Sequence, residues 1–203
     1  MDREKAHLLL QELKGKDLRE LAKSYDVTVF KNGKKNKGWA GHVIEHYLGL
    51  PINSAQSPNF GSWELKTISL KKLKNGNLTI KETMAITMID PFNVKNTPFE
   101  ESHLLAKMKK ILILSRIWEG VNEPASVVYG IHTFNIENDE IYAQIKEDYE
   151  LVRKTIIDKG FDALSGKMGK FVQPRTKGAG HGSTSRAFYA RVPFLKKVIL
   201  LND

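Results

Sequence analysis

Among its 203 residues the chain has no cysteine, which excludes disulfides and thiolate zinc sites. Long apolar runs are lacking as well. Residues 111–114 and 198–201 are among the longest, far short of the roughly 20 residues a bilayer-crossing helix needs. The opening Met-Asp-Arg-Glu-Lys-Ala-His does not follow the positive-then-apolar plan of a signal peptide. Internal repeats and low-complexity stretches are absent too. The expectation is a soluble cytoplasmic protein. Its length suits one domain or two closely packed lobes, and 41% hydrophobic content is enough to build a core.

Acid is in short supply relative to base, and the imbalance is local. The net charge of +9 is concentrated in residues 165–203, where eight Lys or Arg face one acid. A second cluster, residues 31–37, carries four lysines and no acid. Positive charge gathered in this way suits a polyanion, and nucleic acid is the commonest one.

Apolar periodicity predicts helices over residues 3–13 and 17–24, with Leu8, Leu9, Leu10 and Leu13 and then Leu18, Leu21 and Ala22 recurring at helical spacing. A basic loop over 27–37 leads to a third helix over 39–48, closed by Gly49 and Pro51. Strands are expected at 63–71 and 78–89 around an Asn-Gly turn at 74–77. A helix over 99–110 and strands at 111–118 and 127–136 follow. Asn138 is placed to cap a long amphipathic helix reaching residue 159, with Ile141, Ile145, Tyr149, Val152 and Ile156 on its buried side. Strands at 170–176 and 187–192 flank a glycine-rich loop, and a last short helix begins near Pro193. The order is that of an α/β protein with a mixed sheet flanked by helices.

Chemistry concentrates in residues 58–71, Pro-Asn-Phe-Gly-Ser-Trp-Glu-Leu-Lys-Thr-Ile-Ser-Leu-Lys. On a strand, Glu64 and Lys66 share a face. An acid on an approaching loop followed by Glu-x-Lys on a strand is the layout of a metal-dependent phosphodiesterase. Carboxylates and a backbone carbonyl, here that of Leu65, hold a hard cation, and the lysine orients water or steadies charge on phosphate. Helix three adds Glu45, a carboxylate in a largely apolar helix that calls for a cation nearby.

Lys-Gly-Trp-x-Gly-x-x-x-Glu at residues 37–45, followed by Glu-Leu-Lys-Thr at 64–67, resembles the mismatch-repair nicking endonuclease MutH and its GATC-cutting restriction relatives. The resemblance continues through Ser-His-Leu-Leu-Ala-Lys at 102–107, Pro-Arg-Thr-Lys at 174–177 and Ala-Phe-Tyr at 187–189, five blocks in the family's order. It implies a PD-(D/E)xK restriction-endonuclease-like fold: a mixed central sheet flanked by helices, with a DNA cleft between two lobes. The catalytic core would cover about residues 30–120 and the recognition part about 121–203 of one domain.

By position, Glu64 matches the family's metal-binding glutamate, Lys66 its catalytic lysine, Glu45 a helix glutamate near the metals, and Lys37 and Lys107 lysines at the site. Arg175, Lys177, Gly178 and Tyr189 match positions on DNA, and Arg186 is placed with them. The implied cofactor is Mg²⁺, in one or two sites, with Mn²⁺ as a substitute. The implied partner is double-stranded DNA, with a homodimer and, for a repair nickase, a MutL-type activator as further options. One departure stands out: the family's metal-binding aspartate falls on Asn59. An amide brings no charge to a metal, so this departure implies an inactivated form, another acid in its place (Asp90, Glu82, Glu100 and Glu101 are the candidates), or a DNA-binding module that no longer cuts.

Two rival motifs carry less. His42-x-x-Glu45-His46 fits an inverted zinc-protease pattern without a third ligand in view. Gly-Ala-Gly-His-Gly at 178–182 lacks the Gly-Lys-[Ser/Thr] of a phosphate-binding loop.

Overall fold

The structure is a computed structural model that describes residues 1–50, 61–137, 139–178 and 184–199. The residues group into two compact units that interleave along the chain. The first comprises Met1–Ala55, Leu65–Glu82 and Leu112–Thr133, and the second Gln56–Glu64, Thr83–Ile111 and Phe134–Asp203.

Three helices open the first unit. Helix α1 (Arg3–Gln11) starts where the Asp2 carboxylate accepts the Lys5 amide at 2.7 Å. Ala6, Leu10 and the following Leu13 are its buried residues, while Leu8 is 69% exposed. That corrects the expectation for Leu8: the buried stripe runs i, i+4, i+7 from Ala6, and Leu8 lies off it. Helix α2 (Leu18–Ser24) is capped by Asp17, which accepts the Arg19 amide at 2.9 Å and the Ser126 amide at 2.7 Å. Helix α3 (Trp39–Tyr47) buries Trp39, Ala40, Val43, Ile44 and Glu45.

The expected basic loop is a hairpin instead. Strands β1 (Phe30–Lys31) and β2 (Lys34–Lys35) pair antiparallel around Asn32-Gly33, whose φ angles are 51° and 70°. Two successive positive φ values make the turn that joins strands without splaying them, and Asn-Gly tolerates both.

Strand β3 (Glu64–Lys72) pairs antiparallel with β4 (Leu78–Ile80), Leu70 opposite Ile80, around the expected turn at 74–77. The predicted single strand over 78–89 is in fact two, β4 and β5 (Met84–Met88). Lys81 still donates its amide to Ser69 O, but beyond it the polar Lys-Glu-Thr step carries the chain into a different sheet. β3 lies in a four-stranded sheet ordered β4-β3-β6-β7, with β6 at Lys110–Ile117 and β7 at Val128–Asn135. β5 belongs to a three-stranded antiparallel sheet ordered β5-β9-β8, with β8 at Val172–Thr176 and β9 at Arg186–Ala190. The architecture is of the α/β class, the strands among the described residues divided over three sheets.

Helix α4 (Pro91–Asn96) has no counterpart in the sequence reading, although its start follows the rules. Asp90 caps the Phe92 and Asn93 amides, and Pro91 occupies the first turn. The predicted helix over 99–110 divides into a 3-10 turn (Phe99–Glu101) and α5 (His103–Met108). Ser102 stands between them, its hydroxyl donating to Phe99 O at 2.7 Å and accepting the Leu105 amide at 3.1 Å.

Helix α6 (Asp139–Lys159) is the long amphipathic helix, with Ile145, Tyr149, Val152 and Ile156 buried as expected, while Ile141, in its first turn, is only half-buried. The cap assigned to Asn138 lies outside the described residues. Tyr149 packs against Phe99 and Phe188, donates to Thr97 O at 2.9 Å, and has its phenol pushed up to about 12 by burial. The neighbouring Asp148 holds the start of β8, accepting the amides of Lys170 at 2.8 Å and of Phe171 and Val172 at 2.7 Å each. The turn into this cradle needs glycine: Gly169 has φ +73°, and a Cβ there would sit 1.9 Å from Val172 O. Helix α7 (Val192–Ile199) follows β9. Among the described residues, no helix is long and apolar enough to cross a membrane.

Candidate active site

Glu64 is the first residue of β3 and is fully buried. A carboxylate cannot stay charged in an apolar interior without a cation or hydrogen-bond donors. Lys107, at the last turn of α5 and only 5% exposed, supplies one: its Nζ lies 3.2 Å from Glu64 Oε1. Ser102 starts α5 and so sets where Lys107 falls. The buried lysine lies with Leu104, Leu105 and Met108 among the buried residues of that helix. The structure thus joins two of the sequence-predicted residues, 43 positions apart, into one buried ion pair.

Leu65 and Lys66 follow on β3, Leu65 buried and Lys66 half-buried. Glu45 is 9% exposed on α3, and Lys37 is exposed just before that helix. Lys37, Glu45, Leu65 and Lys66 belong to the first unit, while Glu64 and Lys107 belong to the second. Asn59 lies outside the described residues.

The buried Glu64 carboxylate already hosts an ammonium, so the chemistry of this position suits positive charge, and a divalent metal fits the donor type. Among the described residues, no three His, Cys, Asp or Glu side chains gather as a metal site. The rival zinc pattern gains nothing: the His46 ring stacks on Tyr25 with centroids 5.8 Å apart.

The residues expected on DNA lie on the three-stranded sheet and its loop. Arg175, near the end of β8, is exposed, and its guanidinium carbon is 5.6 Å from the ring centroid of Tyr189 on β9. Gln173 pairs with Tyr189 and Arg175 with Ala187, so Arg175 and Tyr189 are diagonal neighbours across the antiparallel ladder. Lys177 is exposed, and its backbone amide donates to Ser185 O at 2.8 Å, which closes the two strands. Gly178 is exposed with φ +135°. Arg186, half-buried, lies against the short turn at 161–163: its guanidinium is 5.7 Å from the Phe161 centroid, and Nη2 donates to Asp162 O at 3.4 Å.

Two participants carried no signal in the sequence. Thr83, between β4 and β5, accepts a hydrogen bond from Arg175 Nη1 at 2.8 Å across 92 positions. Glu123 lies buried in the first unit. It accepts from Arg116 Nη1 at 2.5 Å and from Trp39 Nε1 at 3.2 Å, and forms a salt bridge with Lys35. Burial alone would raise its carboxyl, but hydrogen bonds from Lys35 and Arg116 outweigh that and hold it below the ordinary carboxylate range. Through Lys35 it ties the basic hairpin to the interior of the unit.

The family described as DNA mismatch repair enzyme MutH matches residues 48–148 of the chain. The DNA mismatch repair protein MutH of Shewanella woodyi is 28% identical over 93% of this chain and 87% of its own length. The MutH protein of Vibrio campbellii is 24% identical over 94% of this chain and 89% of its own length. The type II restriction enzyme Sau3AI of Staphylococcus aureus is 27% identical over 100% of this chain but 41% of its own length. A solved structure of the restriction endonuclease MvaI with cognate DNA aligns at 13% identity and TM-score 0.38, over 89% of this chain and 95% of that one, a likeness too slight to carry an argument. With five sequence blocks in order, Glu64 buried at the start of β3 and relatives of both kinds matching nearly the whole chain, the protein is similar to the MutH-like endonucleases.

Proposed function

We propose that this chain is the framework of a divalent-metal-dependent endonuclease that binds duplex DNA at a short specific site, GATC in the leading reading. The observation that carries it is the buried Glu64–Lys107 pair at the head of β3, two residues before Lys66. Glu64 and Glu45, with the Leu65 carbonyl and residue 59, would hold Mg²⁺, or Mn²⁺ in its place. When bound, the metal supplies Lewis-acid polarisation of the phosphate and a more acidic water. Lys66 would orient the attacking water and offset charge on the scissile phosphate. Lys107 would stay on Glu64, holding that carboxylate in place. Lys37 would lie along the phosphate, and Arg175, Lys177, Gly178 and Tyr189 would read or grip the DNA, with Arg186 supporting their loop.

Asn59 weakens this scheme at one point. An amide in place of a carboxylate lowers the negative charge that gathers the metal, so slow or absent cutting by the chain as it stands is the expectation.

The relatives favour a second reading as well: the MutH proteins of Shewanella and Vibrio are covered over most of their length, the restriction enzyme over less than half. A repair-type nickase with a MutL-type activator therefore stands beside a restriction enzyme that cuts both strands, alone or as a homodimer.

Supercoiled plasmid rich in unmethylated GATC, incubated with Mg²⁺, separates these readings. Linear fragments from the Asn59→Asp protein, reduced on the order of a thousandfold by adding Glu64→Gln, would support the nuclease. Open circles alone would favour the nickase. Tight binding with no cutting by either form would leave a DNA-binding module.

A further inference from the structure

Arg175 has five N–H donors on a fork that can point in several directions, yet reading a base requires one direction. The three-stranded sheet places three side chains at this point. Tyr189 on β9 pairs with Ala85 on one side and with Gln173 on the other, so its ring stands at the middle of the sheet. Arg175 reaches diagonally onto that ring at 5.6 Å. From the opposite edge, Thr83, one residue before β5, accepts from Arg175 Nη1 at 2.8 Å. The guanidinium therefore spans the sheet from β8 to the β5 edge, with its plane limited by the ring and its rotation limited by the threonine hydroxyl. Binding Nη1 in this way turns the fork's Nε and Nη2 edge into the direction available for a guanine's O6 and N7.

We infer that Thr83 is a positioning residue for sequence discrimination: its hydroxyl fixes the Arg175 fork over Tyr189 so that one guanine is read bidentately. The inference rests on the proposed DNA-binding reading. It assigns to Thr83 no contact with DNA and no part in hydrolysis. The hydroxyl is the required feature, because a valine of the same shape fills the same space but accepts nothing from Nη1.

The test is equilibrium binding of the full chain to a GATC duplex, to single-base variants of it, and to a duplex carrying 7-deazaguanine, which removes N7 alone. Ca²⁺ replaces Mg²⁺ to prevent cutting. Thr83→Val should lower the ratio of specific to variant affinity about tenfold and make binding insensitive to the N7 deletion, with affinity for the variant duplexes unchanged. Thr83→Ser should restore both. Urea unfolding of each variant reports whether the fold is intact. Discrimination by a folded Thr83→Val protein equal to the original's overturns the inference while leaving the DNA reading in place. If the original protein does not prefer GATC over the variants, or if Arg175→Ala keeps the preference, the reading on which the inference rests falls, and the inference falls with it.

Discussion

In the first unit Glu123 lies buried against Arg116, Lys35 and Trp39, whereas in the second Asp148 lies buried among three backbone amides. Both carboxylates are sealed from water, at 0% and 3% exposure, and both are saturated with donors. The donors differ in kind. Glu123 is matched by two cations, so removing its charge strands theirs. Asp148 is matched by amides, three from the backbone of β8 and its approach and one from the Gln144 side chain, so its charge chiefly organises backbone and leaves no cation behind. The first arrangement is an ion cluster whose members depend on one another. The second is a local scaffold for a strand that carries the proposed DNA-reading arginine.

Glu123→Gln should be the more damaging change. It leaves Arg116, 6% exposed, and the half-buried Lys35 without a counter-charge, and a broken buried pair costs about 3–5 kcal/mol. The urea midpoint measures it, and a loss below about 1 kcal/mol would mean the cluster relaxes into water. Asp148→Asn ranks second. One of its two accepting oxygens becomes a donor facing an amide, for about 2–3 kcal/mol. Because that loss is local to the start of β8, it should also weaken specific DNA binding, which Glu123→Gln at matched stability should not do.

The smallest effect concerns a group with no counter-charge at all. His132 on β7 has its Nε2 2.8 Å from Ser115 Oγ, and burial chiefly, with like charge from His7 and Lys14, lowers its imidazole from the ordinary value. The unfolded chain therefore takes up this proton first. Stability is full above the ordinary imidazole value, declines as pH falls through it, and levels off below the lowered folded value. Urea midpoints measured across mildly acidic pH should fall less steeply in His132→Gln, and equal slopes would remove His132 from the account.

These same residues show why the sequence was legible in some places and opaque in others. Helices α1, α2, α3 and α6 could be read because a buried stripe at helical spacing is a local signal, and the turn at 74–77 because Asn-Gly favours it. The β1–β2 hairpin carries the same Asn-Gly signal at residues 32–33, but its two-residue strands offer no alternation to mark them. Asp90-Pro91 is a helix-start signal for α4, masked by the strand pattern that runs up to it. Leu8 is ambiguous because three successive leucines fit more than one helical face. Glu64 was visible through its motif, and Lys107 through the family's pattern, but their contact spans 43 positions and no local rule joins them. Glu123 and Thr83 had neither motif nor period: each is defined by partners that only the folded chain brings near.

The alternation of the two units along the chain has a consequence for how the protein is made. Three segments build each unit, so the polypeptide passes from one to the other five times. A ribosome finishing residue 120 has not yet released the end of the first unit's last segment, and the second unit waits for α7. Neither half can be translated, folded and set aside before the other begins. The nascent chain must carry unfinished surfaces of both until Thr133 has emerged, and a protease cut before that residue would leave two incomplete bodies where a beads-on-a-string protein would keep one intact.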